Sequence, residues 1–171
     1  MKLHAGDIEV AIARFYGWRN YLIVPNVGKG LGFGHELDLL VVTPSRYAYE
    51  FEIKVSVADL KADRKKSHQH ESEKIKRFFF AVPKYLQSQA RCIIPERAGL
   101  IIVWEWSDRP YFQARIVKPG TVNPHARKLT DKEYQRLGEL ATMRVWSLKK
   151  RVYQLQRELD YIKGCKKLST R

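Results

Sequence analysis

Long apolar runs are missing from this sequence. None approaches the roughly 18 residues that a bilayer-spanning helix needs. The first fifteen residues already carry Asp7, Glu9 and Arg14, which a secretory signal would not. Cysteine is scarce too. Cys92 and Cys165 are the only two and form no CxxC pair, so neither a disulfide framework nor a cysteine-rich zinc module is expected. Acidic residues are outnumbered, 18 against 32 Lys and Arg, for a net charge of +14. These shortages predict a cytoplasmic protein with no membrane partner. The charge favours a polyanion as partner, because Lys and Arg release counterions from phosphate backbones. At 171 residues and 44% hydrophobic content, the chain is long enough for a core without covalent staples.

Periodicity then divides the chain. Ile8, Ala11, Ile12 and Phe15 recur at helical spacing over Asp7–Tyr16, and Gly17 ends the run. Asn20–Val24 reads as a short strand stopped by Pro25. The next nine residues, 26–34, contain four glycines and read as a hairpin loop, since they lack the endings and context of a nucleotide-binding loop. Glu36–Thr43 and Tyr47–Val55 form an expected antiparallel hairpin about Pro44-Ser45-Arg46. Ser56 to Ser67 is helical, with Ser56 and Asp59 at capping-box spacing. Arg77–Pro83 is an apolar strand, and Gly99–Trp106 with Tyr111–Val117 a second hairpin. A capping box at Thr130 and Glu133 opens a long helix reaching about Lys163. Its apolar residues step by 3 and 4, strictly so from Val145 onward, as a coiled-coil seam requires. The expected organisation is a domain over residues 1–125 and a long helix over 130–164. That helix either packs on its own core or pairs two chains into a homodimer.

The chemistry concentrates in the first hairpin. Strand residues alternate faces. Glu36 and Asp38 therefore share a face with Leu40, and Glu50, Glu52 and Lys54 share a face of the next strand. Charged groups inside apolar strands cost free energy unless they pair or hold a cation. Hydrolysis of a phosphodiester needs a metal that polarises phosphate and supplies hydroxide near neutral pH. Magnesium takes oxygen ligands and keeps several waters. Asp38 and Glu52 offer two carboxylates, the carbonyl of Ile53 a third oxygen, and Lys54 an ammonium that orients water or answers developing negative charge. An ion pair across a hairpin is the structural alternative.

The spacing of Asp38 and Glu52-Ile53-Lys54, followed by a basic helix, resembles the PD-(D/E)XK nuclease superfamily. The runs Phe51-Glu-Ile-Lys-Val-Ser-Val-Ala-Asp-Leu-Lys-Ala-Asp-Arg-Lys65 and Arg77-Phe-Phe-Phe-Ala-Val-Pro83 are more specifically similar to MmcB-like DNA-repair proteins and related phage nucleases. The resemblance covers about residues 5–106 and leaves the C-terminal helix outside. It departs from the superfamily label in having Leu37 where proline is usual. It implies an α/β, restriction-endonuclease-like fold, a mixed sheet flanked by helices, with the long C-terminal helix added. It also implies a Mg²⁺- or Mn²⁺-dependent deoxyribonuclease. Its catalytic residues would be Asp38, Glu52 and Lys54, and its metal ligands Asp38, Glu52 and Ile53. The superfamily often adds an acidic residue from the first helix. Glu9 is the candidate, with Glu36 as the alternative third carboxylate.

Seven basic residues lie between Lys61 and Arg77. Lys61, Arg64, Lys65 and Lys66 follow the catalytic strand directly and are the expected DNA contacts. His68 and His70, two apart in a polar stretch, read as incidental rather than as a zinc site. The rival reading is a catalytically silent, basic nucleic-acid-binding accessory protein on the same fold. Either way, DNA affinity should fall steeply with salt. A filter-binding or anisotropy titration should show more than about a tenfold loss between roughly 50 and 200 mM salt; a flat response contradicts the electrostatic reading.

Overall fold

A computed structural model describes residues 3–63, 72–107 and 111–168, with side chains as far as Lys163. Helix α1 (Ala5–Tyr16) precedes β1 (Leu22–Val27), β2 (Leu37–Val42) and β3 (Ala48–Ile53). Helix α2 (Val57–Asp63), β4 (Ile75–Pro83), α3 (Gln87–Ile93), β5 (Gly99–Glu105), β6 (Phe112–Lys118) and α4 (Asp131–Leu168) follow. The strands form one six-stranded sheet in sequence order. β1, β2 and β3 run antiparallel, β3, β4 and β5 run parallel, and β6 returns antiparallel to β5. The architecture is thus the expected α/β one, a mixed sheet flanked by helices with a long helix at the C-terminal end.

Parallel neighbours need crossovers, and crossovers of one hand put their helices on the same face. The β3–α2–β4 and β4–α3–β5 units obey this. Leu60 of α2 and Ala90 of α3 join Leu40, Phe78, Phe80, Leu100 and Ile102 in one core cluster, completed by Leu137 of α4. On the opposite face α1 buries Ile8, Ala11 and Ile12 against Leu39, Val41, Phe51, Phe79 and Ile101. The stacked rings of Phe51 and Phe79, 5.1 Å apart, mark the centre of that second layer.

Three local features differ from the sequence reading. β1 does not stop at Pro25 but continues to Val27, with Pro25 opposite Leu39. A proline lacks an N–H to donate, and β1 is an edge strand, where that lack is tolerated. Leu37 joins the same cluster as Leu40, so strict alternation breaks at Asp38. The stretch after Pro83 carries a 3-10 turn at Lys84–Leu86 and then α3, elements that its mixed polar composition did not announce. The capping at Ser56 is as expected, its Oγ accepting the Asp59 N–H at 3.2 Å.

Three of the seven clustered cations serve the fold. Lys74 reaches Glu133 at 2.8 Å and donates to the Leu31 carbonyl, pinning the glycine-rich loop against the core. Gly32 sits at φ 74° with Lys74 Nζ where a Cβ would stand, so the loop needs glycine there. Lys76 donates to the Asn123 carbonyl and Arg77 to that of Gly120.

Glu133 ties the start of α4 to the sheet. It accepts the Thr130 N–H at 2.9 Å, while Thr130 Oγ accepts the Glu133 N–H, the capping box expected from sequence. Arg127 grips the same carboxylate through both terminal nitrogens. Chiefly through that Arg127 hydrogen bond, the carboxyl is held far below its ordinary value of 4.5. A depressed carboxyl contributes stability that is complete above its unfolded pKa and is lost as pH falls. Glu133→Gln should therefore lower the melting temperature at neutral pH, with the difference from wild type shrinking as pH drops below about 4.5. Thr130→Ala should cost about 1 kcal/mol in denaturant unfolding. A Glu133→Gln deficit that persists unchanged into acid would contradict the assignment.

Candidate active site

The carboxylates gather at one end of the sheet, where β2 begins and β3 ends. The register pairs Leu39 with Phe51, and one step further puts Asp38 across from Glu52. Asp38 is half-buried. Its Oδ2 accepts the Ile53 N–H at 2.8 Å, which locks the carboxylate against the last residue of β3. The sheet places Asp38 beside Glu52, Ile53 and Lys54 at the end of β3.

Glu52 is 1% exposed. Lys54 Nζ donates to its Oε1 at 2.6 Å and lies 3.2 Å from Asp63 Oδ1. The lysine backbone is fixed as well, its N–H donating to the Ala81 carbonyl of β4 at 3.0 Å. The ammonium thus bridges two buried carboxylates, one from β3 and one from the last turn of α2. Charges taken this far from water persist only when paired and hydrogen-bonded. An ammonium on a strand terminus held by partners from two elements has little rotational freedom.

Glu9 comes from the other layer. It is half-buried on α1, and its carboxyl is raised above the ordinary 4.5, first by burial and then by the negative charge of Asp38. Glu36 is exposed, just ahead of β2.

Sequence reasoning missed the engagement of Asp63 and the pairing of His35 with Glu50. Asp63 is buried and engages Lys54. Its signal was present, since it stands one helical turn after the buried Leu60 and so shares its inward face. Glu50 is fully buried one alternation before Glu52 and lies 2.7 Å from Nε2 of His35, itself 2% exposed. This His–Glu pair sits under the carboxylate end of the sheet and braces Glu50 in an apolar layer.

The fit to a divalent cation rests on the donors. Asp38, Glu52 and Glu9 offer carboxylate oxygens, the hard ligands that magnesium and manganese prefer, and magnesium is commonly held by one or two carboxylates with waters completing its shell. Among the described residues no three His, Cys, Asp or Glu side chains are drawn together as a preformed cage. Of the expected DNA contacts, Lys61 is exposed on α2; Arg64, Lys65 and Lys66, with His68 and His70, lie outside the described residues. No helix among the described residues is long and apolar enough to cross a membrane.

Comparison with known proteins agrees with this geometry at the level of family and fold. A search among curated proteins returns no match. Among solved structures the chain is similar to the SPO1766 protein of unknown function from Silicibacter pomeroyi. The identity is 21% and the TM-score 0.60, over 90% of this chain and 94% of that one, a likeness of fold. The family described as DNA repair protein MmcB-like matches residues 4–150. That span is longer than the sequence resemblance, which left the C-terminal helix outside, and includes the part of α4 that packs on the sheet. With most of its length matched, the chain belongs to the MmcB-like DNA repair family.

Proposed function

We propose that the protein is a Mg²⁺- or Mn²⁺-dependent deoxyribonuclease of the PD-(D/E)XK type, acting on DNA in repair. One observation carries the reading: Asp38 is locked to the end of β3 beside the Glu52–Lys54 pair, with Glu9 approaching from α1. Membership in a DNA repair family and a net charge of +14 support a DNA substrate.

Asp38 and Glu52 would hold the cation, with the Ile53 carbonyl as a further oxygen and Glu9 as the outer carboxylate. When bound, the metal supplies a polarised phosphate and a water acidic enough to yield hydroxide near neutral pH. Asp38 is held in place by the Ile53 N–H, which donates to its Oδ2. Lys54 stands beside Glu52, where its ammonium orients the attacking water or answers charge gathering on the phosphate. Asp63 positions Lys54 by holding Nζ from the side of α2. Lys61, with Arg64, Lys65 and Lys66, would bind phosphates along the approach from α2. The domain that cuts would be residues 1–125 together with the first turns of α4, which pack on the same core.

The silent DNA-binding reading draws on a specific contact. Lys54 is engaged by Glu52 and Asp63, an arrangement that also suits a purely structural ion pair. Activity separates the two readings. In magnesium or manganese, wild type should cut at least one of duplex, single-stranded, nicked or branched DNA. Asp38→Asn and Lys54→Ala should each lower the cleavage rate by roughly 10²-fold or more, with DNA affinity retained and EDTA mimicking Asp38→Asn. Purified wild type that cuts none of the four substrates supports the binding module instead. Equal cutting by Asp38→Asn removes the site assignment.

Glu9 gives an independent check without DNA. A carboxyl whose folded pKa is raised binds its proton more tightly in the native state, so it lowers stability as pH rises through and above that range. In metal-free buffer Glu9→Gln should raise the melting temperature at pH 7, and the gain should vanish below about pH 4. Added Mn²⁺ should stabilise wild type more than the variant. No gain at pH 7 and an unchanged response to Mn²⁺ would remove Glu9 from the site.

A further inference from the structure

The first part of α4 belongs to the domain. Leu137 is buried, Tyr134, Leu140 and Ala141 pack against the same cluster, and Arg144 donates to the Asn26 carbonyl at 2.9 Å. Beyond Arg144 the helix leaves the sheet, and every side chain from Val145 to Lys163 is exposed. Val145, Leu148, Val152, Leu155, Leu159 and Ile162 lie in that stretch at 42–65% exposure. Among the described residues these six pack on nothing, so the expectation that the helix packs on the chain's own core holds only for the part before Val145. A stripe stepping strictly by 3 and 4 is the seam of a left-handed coiled coil, and a helix that projects without tertiary packing lacks the main source of helical stability.

The flanking charges choose the occupant and its direction. Val145, Val152 and Leu159 take the a positions, and Leu148, Leu155 and Ile162 the d positions. Lys149, Gln156 and Lys163 are then at e, and Arg144, Arg151 and Glu158 at g, where charges set partner and orientation. In a parallel pair Arg144 would face Lys149 of the second copy, a repulsion made twice. Arg151 would face Gln156, and Glu158 would face Lys163. An antiparallel pair centred between Val152 and Leu155 behaves differently. It layers Val145 on Ile162, Leu148 on Leu159 and Val152 on Leu155, using all six apolar residues. Arg151 lies across from Glu158 of the second copy, twice by symmetry, and Lys149 faces the neutral Gln156.

We propose that residues 145–163 of α4 form an antiparallel coiled coil with a second copy of this chain, fixed in direction by reciprocal Arg151–Glu158 pairs. The two sheets then stand at opposite ends of the shared segment. The proposal does not depend on catalysis.

Sedimentation of the full chain at micromolar concentration should give a dimer, and Val152→Asp with Leu155→Asp should give a folded monomer by circular dichroism. Arg151→Glu and Glu158→Arg alone should each raise the dissociation constant at least about fivefold, and the two together should restore it. A parallel pair would not be restored, because Arg at 158 would face Lys163. Spin labels at Glu139→Cys, with Cys92 and Cys165 changed to serine, should lie about 45 Å apart at 1.5 Å rise per residue. A monomer at about 100 μM, a double variant no tighter than the singles, or labels within roughly 20 Å would overturn it.

Discussion

Buried charge at the end of a β-strand has to be answered locally, and in this protein the answer organises the site. Glu52 lies between Phe51 and Ile53 in its own strand and beside Phe80 of β4. Its partner Lys54 follows two residues later, where β3 gives way to α2. Asp63 closes the pair from the far end of that helix, seven residues beyond Ser56, which caps it. The strand end, the helix and its cap are thus bound into one unit by a single ammonium. Asp38 enters this unit through the backbone, by taking the Ile53 N–H. Removing one partner of such a network leaves an uncompensated buried charge, which costs far more than a surface pair would.

The two layers meet at this point. α1 covers one face of the sheet and α2, α3 and α4 the other. Glu9 is carried by the first layer and Lys54 with Asp63 by the second, so the carboxylate end is the place where side chains from both can converge. The crossovers put the C-terminal ends of β3 and β4 side by side at that same end, the position where parallel α/β units commonly bind ligands. Lys74, Arg127 and Glu133 do a separate job. They fasten the glycine-rich loop to the start of α4.

Much of this was legible in the sequence because the signals were local. Alternation put Glu52 and Lys54 on one face of β3, the hairpin reading put Asp38 in the neighbouring strand although the alternation breaks there, and capping boxes at Ser56 and Thr130 located two helix starts. The misses have physical causes. Pro25 reads as a strand breaker only for a strand with neighbours on both sides, and edge position is a property of the whole sheet. Asp63 and the His35–Glu50 pair were hidden because polar residues are priced as exposed until a partner distant in sequence is known. Lys74 and Arg77 counted toward a phosphate-binding cluster on composition, yet one is held by Glu133 and the other by a loop carbonyl. The exposed seam of α4 was readable as a pattern. That it stays off the chain's own core needed the three-dimensional path of the helix.

The central claim is that Asp38 and Glu52 together hold a divalent cation. A crystal grown or soaked with Mn²⁺ and measured at the manganese absorption edge tests it directly. The account predicts one anomalous peak within about 2.1 Å of a carboxylate oxygen of each residue, lost in Asp38→Asn. A peak elsewhere, or none at a Mn²⁺ concentration that supports cleavage, would contradict it.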